Sequence, residues 1–391
     1  MQTQIQSVAD LSQRLLPEMW DPASSLFSHK ITIDSAGQWA NQGSNALYSA
    51  ISLIGLLEYH GAEVDKRQDL VRQTLDALHS VRAARPDFAL IGCLMWCDAL
   101  LGDERILALL TDVEQSTDFG SASSMEIGLL LAGLAKAHER FSTLQTRIAC
   151  ALTPLRAELL DRFVPGASLF RGTRSGLSVV NTLNGKLTSF ASQVYPIHGL
   201  VGVARCTETP LPPEARAAAE QIVERQGALG QWWWQYSTKT GEVIEGYPVY
   251  SVHQDGMAFM ALAALHNLGE GTYRQPLALG LRWLYGENEL GKALIRYEPD
   301  MIFRCIQRKG SDPDALAGIS RRNRIQAMLA SHDLRTSGGT RADPEALEVL
   351  QECRSYHLGW ALYAASLVRD WPESSPSGCT SSVDPPPPCS N

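Results

Sequence analysis

The chain has 391 residues, a formal net charge of −8 and a pI near 5.6, which argues against general nucleic-acid binding. No run reaches the roughly 18 apolar residues of a membrane-spanning helix, and the N-terminus lacks the basic and apolar stretches of a secretory signal. Eight cysteines in a chain of this length do not make a disulfide scaffold. We therefore predict a cytoplasmic protein; the sequence leaves peripheral membrane association and the oligomeric state open.

After a predicted N-terminal extension (1–43), two kinds of helical segment alternate along the chain. Segments that are apolar all round are expected inside the fold, and segments with an Arg/Glu stripe are expected outside. The predicted inner helices are Ser44–Tyr59, Asp87–Leu101, Ser123–His138, Val194–Arg205, Ser251–Leu268 and Ser355–Arg369. The predicted outer helices are Asp65–Ala83, Asp103–Gln115, Gln145–Phe163, Pro213–Arg225, Gln275–Tyr285 and Pro344–Arg354.

About six such pairs at a spacing of roughly 50–60 residues predict an all-α fold, an (α/α)6 barrel with an inner ring inside an outer ring. The barrel is predicted over residues 44–372. An α-solenoid is the main alternative, but its helices are usually more evenly amphipathic. The final segment, 373–391, carries four consecutive prolines and is predicted to be disordered.

Two regions break the helical rhythm, at 170–192 and at 301–341. Both combine Gly, Ser and Thr with basic residues, among them Arg171 and Arg304. Long loops in a compact domain are often binding loops. The bases are either solvated surface or a clamp for an anionic group such as a phosphate, a diphosphate or a uronate.

The segment Gln226–Tyr236 fits the pattern Q-x-x-x-G-x-W, a turn between helices that is closed by an indole ring. It contains three adjacent tryptophans, at positions 232 to 234. Such rings provide flat apolar surfaces for stacking. The tryptophans therefore either anchor the turn or form platforms for a substrate.

The next segment, Tyr247–Ala258, places two tyrosines, a histidine and a carboxylate where an inner helix begins. The start of the helix at Val194 is similar, with Tyr195 and His198, and so is the start at Ser355, with Tyr356 and His357. Helix N-termini attract anionic groups, and clustered ionisable residues indicate a site. The alternative is that these residues cap helices or pack in the core.

In this order the motifs resemble the terpenoid cyclase and protein prenyltransferase α/α toroids, over about residues 190–370. Class II terpenoid cyclases open the equivalent helix with D-x-D-D-T-A, whose central aspartate protonates an alkene or epoxide. Here that stretch reads His253-Gln254-Asp255-Gly256-Met257-Ala258. The resemblance implies acid-initiated chemistry on an isoprenoid, with Asp255 as proton donor and His253 as its partner.

Protein prenyltransferases carry a zinc-ligating histidine in a context similar to Tyr356-His357, but their accompanying Asp-x-Cys pair is not recognisable here. Zinc needs three or four ligands. We predict no cofactor and no metal site, and the sequence leaves Mg or Zn open.

Six-hairpin glycosidases, lyases and sugar epimerases use the same barrel. In such an enzyme the tryptophans would stack on sugar faces, while Asp255, Glu245 or Glu126 would act as acid or base. Tyr250 with His253 or His198 would serve lyase or epimerase chemistry. A non-catalytic binding scaffold is the third interpretation.

We predict a terpenoid-cyclase-like isomerase or lyase, with a carbohydrate-active enzyme as the alternative. The partner is a small molecule, either an isoprenoid or a glycan. The residues predicted to act in catalysis are Asp255, His253, Tyr250 and His198. Those predicted to contact substrate are Trp232, Trp233, Trp234, Tyr195, Tyr247, Glu245, Arg171, Arg304, Tyr356 and His357.

Overall fold

The computed structural model describes residues 1–33, 37–61, 68–84, 87–116, 118–173, 186–311 and 343–372. These residues form twelve α-helices and fourteen short strands. The helices are α1 (Gln2–Glu18), α2 (Ala46–His60), α3 (Gln68–Ala84), α4 (Phe88–Leu101), α5 (Ile106–Gln115), α6 (Ser124–Arg140), α7 (Gln145–Asp161), α8 (Ala191–Thr207), α9 (Pro213–Glu224), α10 (Ala258–Asn267), α11 (Arg274–Leu284) and α12 (Ser355–Leu367). One π-helical turn, His253–Met257, leads directly into α10.

The even-numbered helices form a closed inner ring. Each packs against the next, from α2 through α12, and α12 returns to α2. Most residues of these helices are buried, as expected for segments that are apolar all round. The odd-numbered helices surround the ring. The predicted (α/α)6 barrel is therefore confirmed.

Glycines allow two inner helices to pack with their backbones in contact. A Cβ at Gly92 of α4 would lie 2.6 Å from the Leu129 carbonyl carbon of α6, and one at Gly133 would lie 2.0 Å from the Gly92 carbonyl oxygen. No side chain fits at such distances. Helices α4 and α6 can therefore approach this closely because both positions are glycine.

The sixth outer helix differs from the prediction. Segment Pro344–Arg354 forms a short 3-10 turn followed by two strands, whereas the sixth outer helix is α1, which packs on α12. Helix α1 buries one apolar face that includes Ile5, Val8 and Leu11. The predicted domain boundaries at 43 and 372 stay predictions, and the C-terminal tail lies outside the described residues.

All fourteen strands lie in the connections that lead from an outer helix to the next inner helix. We call the end of the barrel where the inner helices begin the mouth. The strands are β1 (Trp20–Asp21), β2 (Leu26–Ile33), β3 (Trp39–Ser44), β4 (Phe163–Val164), β5 (Leu169–Phe170), β6 (Leu187–Ser189), β7 (Gln235–Ser237), β8 (Val243–Glu245), β9 (Val249–Tyr250), β10 (Ile295–Tyr297), β11 (Asp300–Ile302), β12 (Cys305–Arg308), β13 (Leu347–Leu350) and β14 (Glu352–Arg354).

Antiparallel pairing brings distant connections together at the mouth. Strand β14 pairs with β2, so that Glu352 lies opposite Thr32, and β12 pairs with β9, so that Cys305 lies opposite Tyr250. Strands β6, β7 and β8 form a third small sheet. Loops on a rigid scaffold are the usual carriers of binding residues, so a binding site is expected at the mouth.

Within the described ranges, no helix combines the length and the apolar character needed to cross a membrane.

Candidate active site

Three basic side chains surround one carboxylate at the mouth. Glu352 accepts hydrogen bonds from Arg304 Nη1 at 2.6 Å, from Arg354 Nε at 2.8 Å and from Lys30 Nζ at 3.2 Å. We call these four residues the cationic cluster. Burial alone would raise the pKa of Glu352, but Arg304 and Arg354 outweigh burial and hold the pKa below its ordinary value. The glutamate therefore stays ionised, with three basic side chains around it.

Three separate segments of the chain contribute residues to the cationic cluster. Lys30 comes from β2, Arg304 from the residue before β12, and Glu352 and Arg354 from β14. Strand pairing joins β14 to β2, and the backbone N–H of Arg304 donates to the carbonyl of Leu350 in β13. Arg354 is also the residue that precedes α12, so the N-terminal end of an inner helix adds its positive dipole to the cluster.

Aromatic rings line the mouth beside the cationic cluster. The rings of Tyr48 and Tyr356 lie 4.4 Å apart, and both side chains are partly exposed. The Arg304 guanidinium lies over the ring of Tyr250 at 5.4 Å. Tyr250 in turn meets the edge of Trp234 at 5.5 Å. The structure thus brings the predicted residues Tyr250, Tyr356 and Arg304 into one wall.

His253 lies next to this wall, between Tyr250 and Phe190. Its ring centroid is 5.2 Å from that of Tyr250 and 4.6 Å from that of Phe190. Its Nδ1 is 3.2 Å from the carbonyl oxygen of Trp232. A carbonyl oxygen only accepts, so Nδ1 carries the proton and donates it. Burial lowers the pKa of His253 to about 3, and the imidazole is neutral at pH 7.

The sequence suggested His253 as the partner of Asp255, but in the structure Asp255 pairs with His357. Both carboxylate oxygens lie within hydrogen-bond distance of His357 Nε2, at 2.8 and 2.9 Å, and the two residues are 102 positions apart. Asp255 is completely buried, at 0% exposure. His253 and Asp255 are two positions apart in the π-helical turn and point in different directions, which explains why the two have different neighbours.

The lumen below the mouth is filled by aromatic side chains from three inner helices. His198 stacks on Trp96 at 5.3 Å, and Trp360 Nε1 donates to the hydroxyl of Tyr195 at 3.0 Å. His198 Nδ1 donates to the Met260 carbonyl at 3.1 Å. His198 and Tyr195 are both buried. The structure therefore places these two predicted residues in the packed lumen and not at the accessible mouth.

The Q-x-x-x-G-x-W motif forms a turn that is held against the outer helix α11 by hydrogen bonds. Gln226 Nε2 donates to the carbonyls of Gly230 and Pro276, at 3.1 and 2.9 Å. Trp232 is fully buried on Phe190, at a centroid distance of 5.8 Å. Trp233 is also buried, whereas Trp234 is partly exposed. Of the three tryptophans, Trp234 is the one that a substrate can reach.

Two further predicted residues, Glu245 and Tyr247, belong to a buried network beside the mouth. Glu245 accepts from Arg308 Nη2 at 2.9 Å and from the backbone of Tyr247 at 3.2 Å. The Tyr247 hydroxyl donates to Glu289 at 2.8 Å. Glu289 also accepts from Trp283 Nε1 at 2.7 Å. These contacts hold the chain between β8 and β9 in place.

Arg171 lies in the connection between α7 and α8. Its carbonyl accepts a hydrogen bond from the hydroxyl of Ser124, the first residue of α6, at 2.5 Å, and its side chain is partly exposed. Most of the basic residues predicted near 170–192 and 301–341 lie outside the described residues.

Sequence reasoning missed Lys30, Glu352, Arg354 and an accessible carboxylate, Asp87. Asp87 is exposed and caps α4, with Oδ1 accepting from the Leu90 backbone at 3.0 Å. Glu126 is partly exposed at the start of α6, where it closes a capping box with Ser123. The sequence could have indicated Asp87, because an aspartate directly before a predicted inner helix is expected to cap it. A residue that caps an inner helix lies at the mouth.

Among the residues that the structure describes, no group of three or more His, Cys, Asp or Glu side chains could hold a metal ion.

No protein-family model and no curated protein matches the chain, but solved structures match nearly all of it. One is the unsaturated glucuronyl hydrolase from Bacillus sp. GL1, responsible for the degradation of glycosaminoglycan, with 14% identity, a TM-score of 0.56 and coverage of 94% of this chain and 96% of that chain. A possible member of the GH105 family from Salmonella enterica has 12% identity, a TM-score of 0.55 and coverage of 94% of both chains. An inactive variant of an α-1,6-mannanase from Salegentibacter sp., in complex with α-1,6-mannotriose, has 12% identity, a TM-score of 0.52 and coverage of 93% and 98%.

These structures are six-hairpin barrels of glycoside hydrolases, so the rival named from the sequence is the better resemblance. The predicted terpenoid-cyclase-like function is wrong, and so are the isomerase, lyase and prenyltransferase assignments. The structure gives a physical reason. A proton donor for an alkene must meet its substrate in a dry cavity, whereas Asp255 is enclosed against His357 and the lumen is filled with side chains. At these identities the likeness establishes the fold.

Proposed function

We propose that the protein is a carbohydrate-active enzyme that hydrolyses a glycosidic bond of an acidic glycan at the mouth of the barrel. The observation that carries the proposal is the cationic cluster. Three basic side chains gather around one carboxylate there, and basic side chains are the groups that recognise the carboxylate of an acidic sugar.

The carboxylate of a uronic acid suits this environment. Arginine presents two parallel N–H groups that match a carboxylate, and the beginning of α12 adds the dipole of an inner helix. Glu352 accepts hydrogen bonds from both arginines and so fixes their orientation. A neutral sugar would offer these basic side chains no charged partner.

The aromatic rings next to the cluster supply the apolar contact that a sugar ring needs. Tyr48, Tyr356 and Trp234 are partly exposed, and Tyr250 links Trp234 to Arg304. Sugar faces carry C–H groups that pack on such rings, whose large apolar surface contributes most of the contact energy. A uronate at the cluster would therefore have its ring against aromatic side chains.

Hydrolysis of a glycosidic bond requires a general acid and a carboxylate that acts as base or nucleophile. Asp87 and Glu126 are accessible carboxylates at the starts of the neighbouring inner helices α4 and α6. We assign the two catalytic roles to this pair. The similarity to unsaturated glucuronyl hydrolases supports the class of reaction and the acidic substrate.

The test is binding and turnover of an unsaturated glucuronyl disaccharide, with a neutral disaccharide as comparison. The wild-type protein should bind and cleave the acidic sugar. Replacing Arg304 with Gln should raise the Kd by about 10- to 100-fold, because it removes a charged hydrogen bond from the proposed carboxylate site. Arg72→Gln is the control, since Arg72 is exposed on the outer helix α3 and pairs only with Asp69 among described residues.

Equal binding by wild type and Arg304→Gln would contradict the acidic substrate. Binding without turnover in every assay would favour the scaffold interpretation over an enzyme. Preference for the neutral disaccharide would keep a glycan enzyme but remove the role of the cationic cluster.

A further inference from the structure

We infer that His253 selects the substrate by accepting a hydrogen bond from one sugar hydroxyl through its Nε2. The inference deepens the function proposed above and rests on it. It assigns a second contact of the sugar, at the histidine that neighbours Tyr250.

The tautomer of His253 is fixed by the backbone. Nδ1 donates to the Trp232 carbonyl at 3.2 Å, so the lone pair is on Nε2. The residue that provides this carbonyl is itself immobile, because Trp232 is fully buried and lies in the turn that Gln226 fastens to α11. The ring orientation of His253 is thus preorganised.

The Nε2 atom of His253 is available to accept a hydrogen bond. The imidazole is only 4% exposed, and Nε2 bonds to no described residue, yet it is not among the completely buried atoms that lack a partner. It therefore keeps contact with solvent. A buried ring with one accessible acceptor is a typical arrangement for recognising a hydroxyl or N–H group of a ligand. A ligand that lacks this hydrogen-bond donor leaves the acceptor unpaired.

The position of His253 agrees with this role. The Arg304 guanidinium, the Tyr250 ring and the His253 ring follow one another at 5.4 and 5.2 Å. Tyr250 itself is buried, so a sugar at this wall would meet Arg304 as a cation and His253 as a neutral acceptor. The cation selects a carboxylate, and the acceptor selects a hydroxyl, so the two together fix the orientation of the ring.

The neutral state supports the same assignment. Burial holds the pKa of His253 at about 3, so at pH 7 the ring offers no charge to a carboxylate and acts only as an acceptor at Nε2.

A pair of variants separates this role from a structural one. His253→Asn keeps a donor at the position of Nδ1 for the Trp232 carbonyl and removes the acceptor at Nε2. His253→Gln places an amide oxygen near the position of Nε2 and gives up the bond to Trp232. We expect Asn to raise the Kd for an unsaturated glucuronyl disaccharide by about 10-fold or more and Gln to stay within about 3-fold of wild type.

The opposite order would overturn the inference. If Asn binds as wild type does and Gln binds weakly, His253 acts only through Trp232. If Arg304→Gln loses affinity while both His253 variants keep it, the proposed function stands and the inference fails. If the wild-type protein does not bind the disaccharide, both fail. Nitrogen-15 NMR of the imidazole gives an independent readout, since a proton on Nε2 would also overturn the inference.

Discussion

At the mouth, carboxylates in similar sequence contexts have different surroundings. Asp255 gives both oxygens to His357 and is completely buried. Asp87 uses only Oδ1 for its helix cap and is exposed. Glu126 is partly exposed. A group that transfers a proton must reach the reacting oxygen, so accessibility favours Asp87 and Glu126 over Asp255.

Neutral substitutions of this pair should separate catalysis from folding. We expect Asp87→Asn and Glu126→Gln each to lower kcat by about 100-fold or more, because each removes an ionisable group from the proposed acid and base. Stability should change little, since asparagine caps helices as well as aspartate does and glutamine serves in a capping box. The measurement is kcat on an unsaturated glucuronyl disaccharide together with the thermal midpoint.

Asp118→Asn is the matched control for these variants. Asp118 is exposed in the connection before α6, where its Oδ1 accepts from the Gly120 backbone. A kcat within about 2-fold of wild type for both Asp87→Asn and Glu126→Gln would exclude the pair as acid and base.

At the scale of elements, the turn that carries the tryptophans is held by close packing against α11. A Cβ added at Gly280 of α11 would lie 2.8 Å from Trp232 Nε1. We expect Gly280→Ala to lower the free energy of unfolding by about 1–3 kcal/mol, because the buried indole cannot move away without disturbing its packing on Phe190. Urea unfolding measures the change.

Gly166→Ala provides the comparison for this prediction. A Cβ at Gly166 would meet nothing within 4 Å, and the effect of the substitution should stay within about 0.5 kcal/mol. If Gly280→Ala lowers the free energy of unfolding no more than Gly166→Ala does, the turn tolerates the extra volume.

The sequence predicts the inner helices well, since a segment that is apolar all round over four turns has few other places to lie. It fails for Pro344–Arg354, where strands of three or four residues are too short to show an alternating pattern. The charges of Glu352 and Arg354 were assigned to the polar face of a helix. In the structure they face β2, a partner more than three hundred positions away.

The same limit applies to the site. Tyr250 and His253 were predicted because they lie in a local motif, and Arg304 because it lies in an irregular region with basic residues. The cationic cluster was not, because it joins positions 30, 304, 352 and 354 through strand pairing. The pairing of Asp255 with His357 was also out of reach, since it depends on the contact between two inner helices.

For the whole molecule, the two ends of the barrel have different roles. All described strands are at the mouth, and the inner-to-outer connections at the opposite end are short. The lumen between the ends is closed by Trp96, Tyr195, His198, Trp360 and Tyr363. The candidate site therefore lies at the mouth and not among these packed side chains.

The barrel also couples its stability to pH through two buried histidines. Burial lowers the pKa of His198 to about 3, as it does for His253, whereas an unfolded histidine titrates near 6.5. Below that pH the unfolded chain binds protons that the folded chain does not, so this contribution to stability is complete above pH 6.5 and is lost as the pH falls toward 3. Each histidine should contribute a slope of about 1.4 kcal/mol per pH unit to the free energy of unfolding.

His198→Gln should reduce the slope of the unfolding free energy by about that amount, measured by urea unfolding between about pH 6 and pH 5. An unchanged slope would mean that His198 is protonated in the folded barrel and that the lumen is open to water.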